Sequence, residues 1–232
     1  MSMIAFDHLV VFSNQPEQHK QLFSSLHGQV TVKGGEHEQW GTFNHLAFMG
    51  NKSYIEWIGV EDDDKAKEST NPLIRQVIFA KEQSMEGPIQ FGLRVEDLNA
   101  YINHFDQEGI EYEGPFPGSR AQPDGTLLEW TMLFPKMNSH TVLPFLIQWD
   151  GEGNTAQDPS LMNSTEFDSV TIYTQNLEST TNQMKGYYLL EEPSHSSENE
   201  VEWSLGNGKL IVKKGDGLLK ANFDHIEFNQ AR

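Results

Sequence analysis

A histidine and a glutamate each interrupt an apolar, strand-like run in this chain: His8 in FDHLVVF and Glu56 in YIEWIGV. Ionisable groups are rare in such runs unless they are paired or used. Brought to one pocket, an imidazole and a carboxylate could move a proton to and from a bound molecule, with Glu56 as base and His8 as acid or electrophile. The same pair would suit a divalent metal such as Zn, Fe, Mn or Ni. A blander reading stays open beside these: His8 as a core histidine satisfied by Asp7 or a backbone carbonyl, and Glu56 as its partner in a buried ion pair. Other chemistries have no support. There is no cysteine, which excludes thiolate metal sites, disulfides and cysteine nucleophiles. GxSxG, Walker, strand-following GxGxxG and HExxH motifs are absent. His19, His27, His37, His104, His140, His195 and His225 lack metal-ligand spacing and take surface positions by default.

The elements that must position the pair follow from periodicity. Ile4 to Phe12 alternates as a strand, with Ile4, Phe6, His8, Val10 and Phe12 expected on one face. Pro16 opens a helix over 16–27 with Leu22, Phe23 and Leu26 at helical spacing, and Gly28 ends it. A short strand at Val30–Val32, a polar loop at Lys33–Gln39 and a hairpin of Thr42–Phe48 with Tyr54–Val60 follow. Tyr54, Glu56 and Ile58 then share a face. The order strand, helix, strand, strand, strand recurs from Pro88, with a helix at Asp97–Glu108 and strands at Tyr112–Phe116, Thr126–Phe134 and Leu143–Trp149. Between the copies, an acidic solvated loop leads to a short helix after Pro72.

Internal repetition decides the architecture. His8 precedes Gly41 by the same interval that separates Gly92 from Gly125, and YIEWIG matches FLIQWDG. That alignment pairs His8 with Gly92, Glu56 with Gln148, and Leu46 with Trp130. A weaker third copy follows the linker GEGNTAQDPSLMNS: FDSVTIYT, a helix in LESTTNQMKGYYLL, then VEWSLG and GKLIVKK. The expected fold is α+β, with repeated βαβββ units over residues 1–150 and a βαβββ-like unit over 165–232. In the third copy Ser169 stands where His8 does and Val212 near the place of Glu56. A lone half-unit leaves an apolar sheet face, so a homodimer formed through this unit is the expected way to cover it.

DHLVV, GTFNHL and YIEWI in this order and spacing resemble the glyoxalase-like family of the vicinal-oxygen-chelate superfamily over residues 4 to about 150. The resemblance implies that two units pair into an incomplete barrel around a cavity. It also implies a divalent metal held by a first-strand histidine and a fourth-strand carboxylate. This chain departs from that pattern, with Gly92 and Gln148 in the second unit. Any metal would rest on His8, Glu56 and the weak amide of Gln148, and a tight stoichiometric ion is not expected. The resemblance further places Arg120, in GSRAQPDGT, in a loop at the cavity mouth, clamping a substrate carboxylate or pairing with Asp124. Arg94 binds an anion or pairs with Glu96 or Asp97. Asn44 or His45 faces the cavity, and Trp130 is a ligand-stacking wall or core.

Bulk properties narrow the partners. Thirty-four acidic against 16 basic side chains give a formal net charge of −18, which repels phosphate backbones and anionic lipid. Nucleic acid and membrane are not expected partners; a small-molecule ligand is. No stretch has the apolar length of a membrane-spanning helix, and a cytoplasmic location is expected. The function implied is binding or converting a small oxygen-rich molecule in the barrel cavity, by lyase- or isomerase-like proton transfer or as a dioxygenase relative. The alternative is a metal-free binding module that sequesters its ligand, and a third is a scaffold with an inert cavity.

Overall fold

In the computed structural model, residues 4–121, 126–136, 142–151, 153, 155–156 and 158–230 are described. The first unit comprises β1 (Ala5–Phe12), α1 (Pro16–His27), β2 (Val32–His37), β3 (Thr42–Gly50) and β4 (Ser53–Val60). After α2 (Asp63–Glu68) and α3 (Pro72–Glu82), the second comprises β5 (Gly87–Arg94), α4 (Leu98–Glu108), β6 (Tyr112–Ala121), β7 (Leu127–Pro135) and β8 (Phe145–Trp149). A short 3-10 turn (Pro159–Leu161) precedes the third, which holds β9 (Met162–Thr174), α5 (Leu177–Tyr188), β10 (His195–Ser196), β11 (Glu200–Leu205) and β12 (Gly208–Lys214). The hairpin β13 (Leu219–Phe223) and β14 (Ile226–Asn229) completes it. The helices start and stop where local chemistry directs. Pro16 and Pro72 occupy first-turn positions, Asn71, Asp62 and Asp97 accept hydrogen bonds from the first-turn amides, and Gly28 and Gly109 adopt the left-handed conformation that ends α1 and α4.

Each unit has the same wiring. Its first strand pairs in parallel with its last (β1 with β4, β5 with β8, β9 with β12), and the intervening strands pair antiparallel. The antiparallel pair β1/β5 joins the first two units, giving the strand order β2-β3-β4-β1-β5-β8-β7-β6. The two ends of this array curl together. A Cβ added at Gly35 of β2 would lie 2.8 Å from Cδ of Arg120 in β6. No pairing of β2 with β6 closes it, so the barrel is incomplete. Helix α3 then packs into the concave side, setting Leu73, Ile74, Val77 and Ile78 against Val10, Phe12, Ile58 and Met132.

Several local expectations differ from what is observed. The acidic segment after Val60 forms α2, capped by Asp62, and Lys33–His37 belongs to β2 instead of a loop. Leu22 and Leu26 are 55% and 68% exposed, and Phe23 carries the packing of α1. On β1 the alternation fails at one point: the register shifts between Phe6 and His8. Ile4 and Phe6 therefore join the outer core with Leu9 and Val11, while Val10 and Phe12 pack beneath α3 on the side to which His8 turns. A bulge of this kind lets one extra residue in and turns the following side chain over. The extra residue is Asp7.

The third unit is not left with a bare apolar face. β9 pairs with the end of β3, and Phe167, Val170, Ile172, Trp203, Leu210 and Val212 merge with the outer core of the first unit. The Phe6 and Phe167 rings stack with centroids 3.7 Å apart and planes within 4°. β13 lies against β9 as β5 lies against β1, with the same irregularity opposite Asp168. The tetrapeptide FDHI at 223–226 forms the turn of this last hairpin, where Asp224 has φ 46°. The opposite face carries the ion pairs Lys209–Glu202 and Lys213–Glu200. The apolar face that prompted the expectation of a homodimer is thus covered within the chain.

This shared core yields a stability test. Phe167→Ala removes one ring of the stack and should cost about 3–5 kcal/mol in urea unfolding, with fluorescence and far-UV circular dichroism moving together. A loss below about 1 kcal/mol would show that the third unit is only loosely attached.

Candidate functional site

The bulge that inserts Asp7 also builds the site. Asp7 is 1% exposed, yet its carboxylate is fully engaged. Oδ1 lies 2.6 Å from His8 Nδ1, and Oδ2 accepts from Trp149 Nε1 at 2.9 Å and from Arg94 at 3.2 Å. Arg94 also donates to the Lys52 carbonyl at 2.8 Å. With Nδ1 committed to Asp7, His8 presents Nε2 to Glu56 Oε2 at 3.5 Å, an ion-pair distance longer than a good hydrogen bond. The imidazole stacks on Tyr54 with centroids 4.4 Å apart. Beneath it lies Gly92, where a Cβ would sit 3.2 Å from His8 Cε1 and 2.9 Å from the Phe145 ring. The glycine facing His8 is the residue that leaves room for the imidazole.

Glu56 is held from its other side. Asn44 Nδ2 donates to Oε1 at 2.5 Å, while Asn44 Oδ1 accepts from the Gly35 amide at 2.8 Å. A Cβ at Gly34 would come within 2.0 Å of that amide oxygen, so the Gly34–Gly35 pair in β2 permits this approach. His37 follows, 3.4 Å from Asn44 Nδ2 through Nε2 and 3.0 Å from Thr42 Oγ1 through Nδ1. A polar chain therefore runs Arg94, Asp7, His8, Glu56, Asn44, His37, Thr42 across the barrel.

Burial works against both charges of the central pair, and their partners outweigh it. For His8, burial would lower the pKa; the hydrogen bonds and charges of Asp7 and Glu56 raise it instead from 6.5 to about 9. For Glu56, burial would raise the pKa; His8, His37 and Asn44 bring it from 4.5 down to about 2. His37 is lowered by burial first, with Glu56 opposing and Arg120 assisting, so it stays neutral. At neutral pH the proton resides on His8.

The pocket around the pair is lined by His8, His37, Asn44, Tyr54, Glu56 and Arg120 on its polar side. Trp40, Trp130 and Trp149 form an aromatic wall, and Ile58, Leu73, Ile74, Met132 and Ile147 an apolar one. Of the candidates read from sequence, His8, Glu56, Asn44, Arg120 and Trp130 meet here. Trp130 is both wall and core, packing 5.5 Å from Trp149. Arg120 lies in strand β6, not a loop, and Asp124 is outside the described residues. Arg94 stands behind His8 as the partner of Asp7. His45 points away, to Glu17 at 3.2 Å.

Gln148 does not reach the pocket: its Oε1 accepts from the Leu98 amide at 2.6 Å, at the start of α4. The reason is a one-residue slip in the repeat alignment. Tyr54 pairs with His8, and Phe145 with Gly92. Ile147 is therefore the counterpart of Glu56, and Gln148 that of Trp57. A slip of one residue exchanges the faces of a strand. By the same register Trp130 is the counterpart of Asn44, and in the third unit Ile211 replaces Val212 as the counterpart of Glu56.

His37, Tyr54, Trp40 and Trp149 are not singled out by the sequence, which offers Asp7 only as a local partner for His8. The recurrence of Phe-Asp at 6–7 and 167–168 was the available signal for Asp7, since both aspartates occupy a bulge. The donor set does not fit a resident metal. Both His8 nitrogens face carboxylates, the second-unit counterparts are Gly92 and Ile147, and no three His, Asp or Glu are grouped for coordination among the described residues.

A family model described as a glyoxalase-like domain matches residues 6–188. A hypothetical protein from Staphylococcus aureus matches in crystal structure with a TM-score of 0.79 and 20% identity, covering 95% of this chain and 89% of that one. That identity shows the fold alone. Methylmalonyl-CoA epimerase from Mycobacterium tuberculosis aligns at a TM-score of 0.45 and 16% identity over 62% of this chain and 86% of its own. The Streptomyces coelicolor epimerase in complex with 2-nitronate-propionyl-CoA aligns at 0.45 and 18% over 63% and 98%. Overlaps this loose carry no argument. No curated protein matches the chain. Among the described residues, no helix is long and apolar enough to cross a membrane.

The pair has a defined pH signature. His8 has a folded value of about 9 against 6.5, so its contribution to stability is complete below pH 6.5 and is lost as pH rises through 9. Glu56 stands at about 2 against 4.5, so its contribution is present above pH 4.5 and is lost as pH falls through 2. Histidine side-chain NMR should place the His8 titration near pH 9, and Asp7→Asn should lower it by about one unit or more. A wild-type His8 titrating near its ordinary value would refute this electrostatic account.

Proposed function

The chain belongs to the glyoxalase-like domain family, and from that premise we propose that it binds a small oxygen-rich molecule beside His8 and Glu56 and transfers a proton on it. The observation that carries this reading is the contrast among the three units. All share one topology, but among the described residues only the first holds a buried ionic pair at these positions. Gly92 and Ile147 stand in its place in the second, Ser169 and Ile211 in the third. The fold therefore forms around glycine, serine and isoleucine at these positions. A buried ion pair is costly to desolvate and weak as a stabilising device, so its retention in the lined pocket points to chemistry.

The mechanism follows from which atom holds the proton. A substrate carbonyl oxygen enters beside His8 Nε2 and accepts its hydrogen bond, drawing the imidazolium away from Glu56. The freed carboxylate becomes a stronger base and removes a proton from the adjacent carbon, while the imidazolium stabilises the developing enolate oxygen. Asp7 keeps the ring orientation and its charge throughout, and Asn44 fixes which Glu56 oxygen reacts. Return of the proton to the same or a neighbouring carbon completes an isomerase-type reaction without net redox change.

One observation favours a second reading, sequestration without turnover. With Glu56 held at about 2, the closed resting pair is a poor base, and a ligand that leaves the pair intact would only bind. Deuterium exchange separates the two. In D2O, the protein should speed loss of the carbon-bound proton signals of pyruvate or hydroxyacetone, and Glu56→Gln should slow it by about 10²-fold or more. Exchange at the wild-type rate in Glu56→Gln would remove Glu56 as base. Saturable binding of these probes with no exchange would establish the sequestration reading.

A further inference from the structure

His37 is the one described side chain that lines both the pocket and a neighbouring open cleft. Its two nitrogens face different ways. Nδ1 lies 3.0 Å from Oγ1 of Thr42, which lines the cleft, and Nε2 lies 3.4 Å from Nδ2 of Asn44, which lines the pocket. The ring therefore stands between solvent and the residue that holds Glu56.

Asn44 dictates which nitrogen carries the proton. A carboxamide offers two N–H donors and one carbonyl. Here the carbonyl accepts from the Gly35 amide at 2.8 Å, and one N–H donates to Glu56 Oε1 at 2.5 Å. The remaining N–H faces His37 Nε2, which must hold a lone pair to receive it, so the ring proton sits on Nδ1 and is donated to Thr42. A neutral ring fits this arrangement and a protonated one does not. With Nε2 protonated, donor would meet donor. Turning the amide over would relieve that contact only by setting its oxygen against the Glu56 carboxylate and its NH2 against the Gly35 N–H. The other escape is for the imidazolium to turn to Glu56 itself. Either way the carboxylate loses the bond that fixes Oε1 and leaves Oε2 to react.

The charges facing His37 come from three sides. They are Glu56 on β4, Arg120 on β6 and, in the cleft, Glu36, Glu38, Glu61, the aspartates at 62–64 and Lys65. Burial is the largest influence and lowers the pKa, with Glu56 opposing and Arg120 assisting, so the ring takes up its proton only below its ordinary 6.5. Neither member of the central pair titrates in that region, since His8 stands at about 9 and Glu56 at about 2.

We propose that His37 is a positioning residue for Glu56, acting through Asn44, and that it keeps the base in its working orientation only while the imidazole is neutral. The effect on turnover rests on the proton-transfer reading above; the coupling of His37 to Asn44 stands without it. The site is then sensitive to acid through a group that touches no substrate. Proton transfer runs at neutral pH and falls off in acid while Glu56 is still ionised.

Two measurements on the full chain test this. In D2O, loss of the carbon-bound proton signals of hydroxyacetone is followed from about pH 8 down to about pH 4. Wild type should show an acid limb with its midpoint below 6.5. At neutral pH, His37→Phe should slow exchange by about tenfold or more. His37→Gln restores an acceptor for Asn44 but does not titrate, so it should recover most of that loss and abolish the acid limb. In an Asn44→Ala background, His37→Phe should add less than about twofold, because the two act as one unit. Separately, ¹⁵N NMR of the histidine rings and asparagine side chains should find His37 with its proton on Nδ1 at neutral pH, and an Asn44 amide signal that moves with the His37 titration. A proton on Nε2, an Asn44 signal blind to that titration, an acid limb kept by His37→Gln, or wild-type exchange in His37→Phe each overturns the proposal. If His37→Phe does not give a dispersed spectrum, His37→Gln and the wild-type profile carry the comparison. If wild type exchanges at no pH, the proton-transfer reading fails by itself, and the NMR titration decides the coupling.

Discussion

The site depends on one inserted residue, the buried aspartate at the bulge of β1. Without the extra residue, Phe6 and His8 would lie on one face of the sheet, as strict alternation requires. With it, Phe6 stacks on Phe167 in the outer core while His8 turns into the barrel. The carboxylate then serves three donors at once, His8, Trp149 and Arg94. It fixes the imidazole orientation, ties β8 and β5 to β1, and supplies the charge that keeps His8 protonated. A buried carboxylate is tolerable here because Trp149 and Arg94 hold it by hydrogen bonds and by charge.

The same bulge recurs without the chemistry. In the third unit Asp168 takes the inserted position, and Ser169 Oγ lies 3.1 Å from its carboxylate where His8 meets Asp7. Bulge and aspartate thus belong to the repeated scaffold, whereas histidine and glutamate belong to one copy of it. The third unit also shows what becomes of a half without a pocket: its open face is laced with lysine–glutamate pairs, and its apolar face is spent on the first unit.

Much of the architecture was legible in the sequence, because strand alternation, helix-terminating glycines at 28 and 109, and repeated strand order are local signals. His8 and Glu56 stood out for a physical reason, as ionisable groups in apolar runs. What was not legible lay in register and in contacts between distant strands. FLIQWDG can be laid on YIEWIG in two ways one residue apart, and only hydrogen-bonded pairing shows that Ile147, not Gln148, answers Glu56. His37 looked like a surface histidine because β2, with its two glycines, does not read as a strand. Those glycines are explained only by Asn44 and Arg120 crossing them. Arg94 was ambiguous until the bulge placed Asp7 within its reach, and the homodimer was inferred from an apolar face that the first unit covers.

On the proposed function, the His8–Glu56 pair is kept for what it does to a ligand and not for holding the barrel together. The most direct measurement is the unfolding free energy of the double variant His8→Leu/Glu56→Leu, in which Asp7 retains Trp149 and Arg94. The double variant should be as stable as wild type to within about 1 kcal/mol, or more stable, and should no longer exchange carbon-bound protons. A double variant destabilised by about 3 kcal/mol or more would mean that the pair is structural, and would contradict that function.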